Sequence, residues 1–94
     1  MRIEELDIVT LSDDKDYIVA KKVVLNGINY YCFVDTEDIE SLKFVQEDHE
    51  ELVDVNDEYT FKKMIYLMSE AIRTNELLVG LRNRLKIKEE SMFN

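Results

Sequence analysis

An Asn-Gly pair at residues 26 and 27 is the feature that most narrows the folds open to this chain. The pair lies between two runs rich in β-branched and aromatic residues, Asp16 to Leu25 and Ile28 to Asp35. Asn and Gly both tolerate the positive φ angles of a two-residue hairpin turn. The sequence therefore predicts a β-hairpin with its turn at this pair.

A two-residue turn fixes the register of the hairpin and sorts its side chains onto two faces. One face is more aliphatic and is predicted to form the core; it carries Leu25, Ile28, Val23, Tyr30, Lys21, Cys32, Val19 and Val34. The other face carries Val24, Asn29, Lys22, Tyr31, Ala20, Phe33, Ile18 and Asp35. Because Tyr31, Phe33 and their neighbours are too apolar to be left in water, we expect this second face to be covered too.

Three weaker β-rich runs extend the predicted sheet. Ile8 to Leu11 precedes a polar turn, and Ser41 to Glu47 and Glu51 to Val55 predict a second hairpin. Asn56-Asp57-Glu58 then resembles a helix start, with a capping residue followed by an acid. The apolar residues that follow have helical spacing, at Phe61, Met64, Ile65, Met68 and Ile72.

These patterns predict an α+β fold. We expect an antiparallel sheet of four to five strands packed by a C-terminal amphipathic helix, because neither apolar surface can bury itself alone. A further short helix or strand is predicted at the C-terminus. We divide the chain into a domain at residues 1–75 and a basic C-terminal extension at residues 76–94.

The extension has two interpretations. As a helix, it places Leu78, Leu81 and Leu85 on one face at i, i+3 and i+7. As a strand, it alternates apolar or amide residues with the bases Arg82, Arg84, Lys86 and Lys88. Gly80 weakens a helix, but the abundant Leu, Arg, Lys and Glu favour it.

Charge and cysteine content limit the compartment and the partners. The net charge is −9, and most of the acids precede residue 61, whereas the remainder is basic. Such a chain repels nucleic acid as a whole. A single cysteine excludes an internal disulfide, the N-terminus lacks the apolar segment of a signal peptide, and no run approaches the ~20 apolar residues of a membrane span. We expect an acidic cytoplasmic protein without a membrane or nucleic-acid partner.

No motif predicts catalysis, a metal or a cofactor. Cys32 and His49 suggest a nucleophile and base, but Cys32 falls on the core face, where a thiol acts as a small hydrophobe. One histidine and one cysteine do not suffice for a structural zinc site. The turn acids Asp13, Asp14 and Asp16 with Glu37, Asp38 and Glu40 could gather at one end of the sheet, but solvated turns explain them. The aromatics of the hairpin fall on two faces, which argues against an RNA-stacking platform.

The order of these features resembles a known family. The matching segments are DIVTLSDDKDYIVAKKVVLNGINYYCFVD, then SLKFVQED, then ELVDVNDEYTFKKMIYLMSEAI. This layout is similar to the YrzB-like family, small acidic bacterial proteins grouped as a domain of unknown function. The resemblance covers about residues 7–73 and implies a cytoplasmic bacterial or phage-encoded protein, but no activity. The basic tail from Asn75 departs from the family pattern.

Two hypotheses of function follow. The first is a non-enzymatic protein-interaction module, as a monomer or a dimer, whose partner contacts are Tyr31, Phe33, Leu78, Leu81 and Leu85. In this hypothesis the tail covers the second sheet face, within one chain or in a second copy. The alternative is an acidic, phage-type inhibitor that imitates nucleic acid and occludes a basic nucleic-acid-binding protein. No small-molecule substrate is predicted.

Overall fold

The computed structural model describes residues 2–92, except for the side chains of residues 82 and 84–92. Five antiparallel strands follow one another in a meander of order β1-β2-β3-β4-β5. Two helices complete the described chain, so the α+β prediction is confirmed. The elements are β1 Ile8–Thr10, β2 Asp16–Leu25, β3 Ile28–Asp35, β4 Leu42–Asp48, β5 Glu51–Asp54, α1 Glu58–Leu67 and α2 Ser69–Met92.

The predicted hairpin turn is present between β2 and β3. Asn26 and Gly27 both have positive φ angles, of 53° and 77°. Leu25 pairs with Ile28 across the turn, and the predicted pairing continues as far as Lys21 and Cys32. The bounds of both strands are those that the sequence predicted.

Beyond Lys21 the predicted register is wrong, because β2 contains an irregularity between Val19 and Lys21. A regular register from the two-residue turn places Ala20 opposite Phe33, but Val19 occupies that position and Ile18 pairs with Val34. An extra residue in one strand is a β-bulge, and it reverses which side chains face each side of the sheet. Val19 therefore leaves the face on which the regular register placed it.

The sheet is curled, and one buried cluster lies on the inner side of the curl. Tyr31, Phe33 and Val19 are all 0% exposed within it. Val9 of β1, Leu11 just after that strand and Leu52 of β5 pack against this one cluster, whose other members are Ile3, Tyr17 and Val45. The two edges of the sheet thus approach each other around a shared core.

A second cluster lies between the outer side of the sheet and the helices. Met64 and Met68 are buried there with Tyr30 and Cys32. Phe61 is 41% exposed but meets Phe44 edge to face, with ring centroids 5.3 Å apart. Ile65, predicted on the same buried stripe, is 40% exposed. The residues packed around this cluster are Ala20, Val23, Leu25, Leu42, Phe44, Val55 and Ile72.

The helical region begins where the sequence indicates and then divides in two. Asp57 caps α1, because its carboxylate accepts from the Thr60 amide at 2.8 Å. At Met68 the backbone leaves helical geometry, although the amide of Met68 still donates to the Met64 carbonyl at 2.8 Å. α2 then continues to Met92 without a break at residue 75, the predicted domain boundary. Of the two interpretations of the extension, the structure has the helix.

Candidate interaction surface

An apolar groove of about 330 Å³ lies between the sheet and α2. Its floor comes from β2 and β3, where the bulge turns Ile18 and Ala20 toward the helix side. One wall comes from α2, and the remaining wall comes from the segment before β1 and the turn between β3 and β4. The lining residues are Leu6, Ile18, Ala20, Val34, Ile39, Ala71, Thr74, Asn75 and Leu78.

A buried amide holds α2 at this groove. Asn75 is 8% exposed, and its side-chain Nδ2 donates to the backbone carbonyl of Ile39 at 2.7 Å. Ile39 belongs to the turn that joins β3 to β4, so this bond connects elements distant in sequence. Because a buried amide without a partner is costly, the bond fixes the position of α2 against the sheet.

The wall formed by α2 has a regular spacing. Ala71, Thr74 and Leu78 follow one another at i, i+3 and i+7, which places them on one side of the helix. Leu78 is nevertheless 53% exposed, and Leu81, one turn further, is 52% exposed. The side chain of Leu85, the third predicted tail residue, lies outside the described residues. The groove therefore continues into exposed apolar surface along α2.

The other two predicted contact residues are not at this surface. Tyr31 and Phe33 are completely buried, with ring centroids 5.8 Å apart. The expectation that they need a partner or the tail as cover is wrong, because the sheet curls and Ile3 packs against the same cluster. A flat sheet would leave this second face open, whereas the curled sheet buries it.

The sequence predicted only part of the groove lining. Leu78 was predicted to contact a partner. Leu6 and Ile39 were not, because they lie outside helices and strands. Leu6 has a φ angle of 75° and a side chain that is 74% exposed. The signal in the sequence is a leucine flanked by acids, Glu4, Glu5 and Asp7, in the segment before the first strand.

Exposed acids surround the end of the sheet next to this groove. The β1–β2 and β3–β4 turns lie at the same end because the strands form a meander, as the bond from the Thr36 amide to the Asp16 carbonyl at 3.1 Å demonstrates. Their exposed acids are Asp13, Asp14, Asp16, Glu37, Asp38 and Glu40. Among the described residues, no group of three or more acidic, histidine or cysteine side chains is arranged to hold a metal ion.

Cys32 and His49 occupy separate environments. The Cys32 thiol is 1% exposed beneath the helices, and burial raises its pKa to about 11. His49 lies in the turn between β4 and β5, where its side chain is 96% exposed and lies 3.5 Å from Asp48. A buried neutral thiol is a poor nucleophile, so this pair does not form a nucleophile and base.

Two tyrosine–carboxylate pairs that the sequence analysis missed stabilise the curl. The Tyr31 hydroxyl donates to Glu47, and the Tyr17 hydroxyl donates to Asp13 at 2.7 Å. The second bond is the main cause that raises the pKa of Tyr17 to about 12 and lowers that of Asp13. Lys43 lies 3.9 Å from the same Asp13 carboxylate. None of these side chains lines the groove, whose lining is apolar apart from Thr74 and Asn75.

Comparisons with known proteins do not extend these findings. The chain matches no protein-family model, and searches of curated proteins and of solved structures find no similar protein. The resemblance to the YrzB-like family stays a prediction. In residues 2–92, no helix has both the length and the hydropathy that spanning a bilayer requires.

Proposed function

We propose that this protein is a non-enzymatic protein-interaction module that binds through the groove and the leucines of α2. The observation that supports the proposal is the exposure of Leu78 and Leu81, which are about half exposed beside an apolar groove. Contiguous exposed apolar surface with a polar rim is typical of protein-binding sites. Of the predicted contact residues, Leu78, Leu81 and Leu85 keep this role in the proposal, whereas Tyr31 and Phe33 do not.

The groove favours an amphipathic helix as its occupant. One of its walls is already a helix, and an apolar groove beside exposed leucines suits a second helix that offers residues at i, i+3, i+4 and i+7. The acids of the β3–β4 turn lie at the rim, next to Ile39. A helix with basic residues flanking its apolar stripe would match both features.

Capture experiments with matched variants test this proposal. The wild-type chain, immobilised through its N-terminus, is exposed to a lysate of the source cells and to purified chain. The Leu78→Glu, Leu81→Glu variant should lose every specifically bound protein, because it places charges in the apolar contact. Tyr66→Glu is the control, since Tyr66 is a 79% exposed helix residue that does not line this groove. Binding that survives in the leucine variant would refute the proposal, and so would an equal loss of binding in the Tyr66→Glu control.

A second candidate function is inhibition of a basic nucleic-acid-binding protein by charge imitation. The gathering of exposed acids at one end of the sheet favours it, since a dense negative surface attracts proteins that bind phosphates. The Glu37→Lys, Asp38→Lys, Glu40→Lys variant should then lose a salt-sensitive basic partner. The matched control, Asp48→Lys, Glu50→Lys, Glu51→Lys, makes the same charge change at the opposite end. Low-salt capture that recovers no basic nucleic-acid-binding protein would count against this function.

A further inference from the structure

We propose that the partner at the groove is a second copy of this chain, and that each copy inserts the leucine-bearing, basic half of α2 against the groove and acidic turn of the other. The inference rests on the proposed function and adds the identity of the partner. Three properties of α2 support it: the length of helix beyond Asn75, the regular spacing of its apolar residues, and its charge.

The first property is length. α2 is anchored at Asn75 by the bond to Ile39, yet it continues for seventeen residues, to Met92. At 1.5 Å per residue, this is about 25 Å of helix. The protein is accordingly elongated, with extents of 54 × 27 × 21 Å. A helix of this length can reach a neighbouring molecule.

The second property is the continuity of the apolar stripe. Ala71, Thr74 and Leu78 form a wall of the groove, and Leu81 and Leu85 follow at the same spacing, i+10 and i+14 from Ala71. One apolar stripe thus begins where α2 packs on the sheet and continues along the part of α2 that follows Asn75. In a two-fold dimer, the projecting part of each stripe can contact the groove of the other copy, which makes the interface self-complementary.

The third property is charge. Residues 78–88 contain four bases, Arg82, Arg84, Lys86 and Lys88, and no acid. The rim of the groove carries the exposed acids Glu37, Asp38 and Glu40 on either side of the lining residue Ile39. The backbone of α2 carries residues 84–88 roughly 14–20 Å along the helix axis beyond Asn75, the residue that contacts this turn within one chain. The turn of a second copy offers those charges an opposite partner.

The test is a charge exchange followed by the molecular mass in solution. The turn variant is Glu37→Lys, Asp38→Lys, Glu40→Lys, and the tail variant is Arg82→Glu, Arg84→Glu, Lys86→Glu. The wild type should sediment as a dimer, and dimerisation should weaken at least about tenfold between roughly 20 mM and 500 mM salt as charges are screened. Each variant alone should be a monomer with unchanged circular dichroism. Their equimolar mixture should form a heterodimer, because both contacts again join opposite charges.

A control separates specific pairing from general attraction between oppositely charged variants. Asp48→Lys, Glu50→Lys, Glu51→Lys gains the same charge at the far end of the sheet and should dimerise alone as the wild type does. Mixed with the tail variant, it should form no heterodimer. A heterodimer in that mixture, or dimers of either exchange variant alone, would overturn the pairing of tail and turn.

A wild-type chain that is a monomer at both salt concentrations would overturn the second copy as partner. If that monomer still captures a cellular protein through Leu78 and Leu81, the proposed function stands and only the identity of the partner is wrong. If neither self-association nor capture depends on these leucines, both proposals fail.

Discussion

The Tyr31 hydroxyl donates a hydrogen bond to the carboxylate of Glu47 on the neighbouring strand. The same carboxylate accepts from Asn29 Nδ2 at 3.3 Å, so one acid of β4 binds two side chains of β3. The Lys22 ammonium lies 6.0 Å from the Tyr31 ring centroid. The Tyr31 ring is completely buried, but its hydroxyl has a hydrogen-bond acceptor in Glu47. This bond joins β3 to β4 at the inner side of the curl.

Replacing Tyr31 with phenylalanine should lower the free energy of unfolding by roughly 1.5–3 kcal/mol, because it removes a hydrogen bond to the charged Glu47 carboxylate and leaves the ring in place. Urea unfolding followed by circular dichroism measures the change. The exposed Tyr59→Phe substitution is the control and should leave the midpoint unaltered. Equal stability of wild type and Tyr31→Phe would show that the bond contributes nothing.

The difference in unfolding free energy between wild type and Tyr31→Phe should decrease as the pH falls. The hydrogen bond from Tyr31 is the main cause that lowers the pKa of Glu47 below its ordinary value of 4.5. A carboxylate that is more acidic when folded stabilises the protein above its unfolded pKa and loses that contribution as the pH falls through the folded value. The stability difference between wild type and Tyr31→Phe should therefore be constant near neutrality and shrink below about pH 4.5. A difference that grows in acid would contradict the assignment.

The two glycines should respond to alanine in opposite directions. Gly27 has a φ of 77° with nothing within 4 Å of an added Cβ, so Gly27→Ala should destabilise by about 1 kcal/mol through backbone strain alone. Gly80 lies inside α2 with equally open space, and Gly80→Ala should stabilise by up to about 1 kcal/mol through helix propensity. Urea midpoints of the two variants measure both effects, and a shift of the same sign in both would refute this account.

Met64 should be the most sensitive helix residue. It is 0% exposed between α1 and the sheet, and Met64→Ala should cost roughly 2–5 kcal/mol because it leaves a cavity. Tyr66→Ala, two residues away and 79% exposed, should have little effect. Thermal unfolding of both variants makes the comparison. Similar losses at the two positions would mean that α1 does not use this face for packing.

The Cys32 thiol should react slowly with a disulfide reagent at pH 8 in the folded chain. Burial raises its pKa to about 11, so little thiolate forms at that pH and the reagent lacks access. In urea the labelling should be rapid, because the unfolded thiol has its ordinary pKa of 9.0 and is exposed. Rapid labelling without denaturant would contradict the burial and reopen a chemical role for this residue.

Local patterns in the sequence predict the strands well. The bounds of β2 and β3 follow from the Asn26-Gly27 turn and the β-rich runs on each side, and the start of α1 follows from the Asp57 cap. These features depend on neighbours in sequence, where turn geometry and capping decide the structure.

The parts that the sequence did not predict depend on contacts between distant residues. The curl that buries Tyr31 and Phe33 brings Leu11 and Leu52, at opposite edges of the sheet, against one core. Likewise, the groove requires the turn at Ile39 to meet α2 at Asn75, which no local periodicity indicates. Leu78 and Leu81 were identified from their spacing, but their position beside a groove was not.

The bulge at Ala20 changes which residues of β2, the odd-numbered or the even-numbered, face the helices. Near the turn, the odd-numbered Val23 and Leu25 lie on the helix side, whereas beyond the bulge the odd-numbered Tyr17 and Val19 belong to the inner core. A mutational scan of this strand should therefore show its alternation of tolerant and sensitive positions slip by one residue at this point. Removing Ala20 would make Val19 and Lys21 adjacent, as their partners Phe33 and Cys32 already are on β3, so the deletion should abolish the bulge while every other residue of β2 keeps its face.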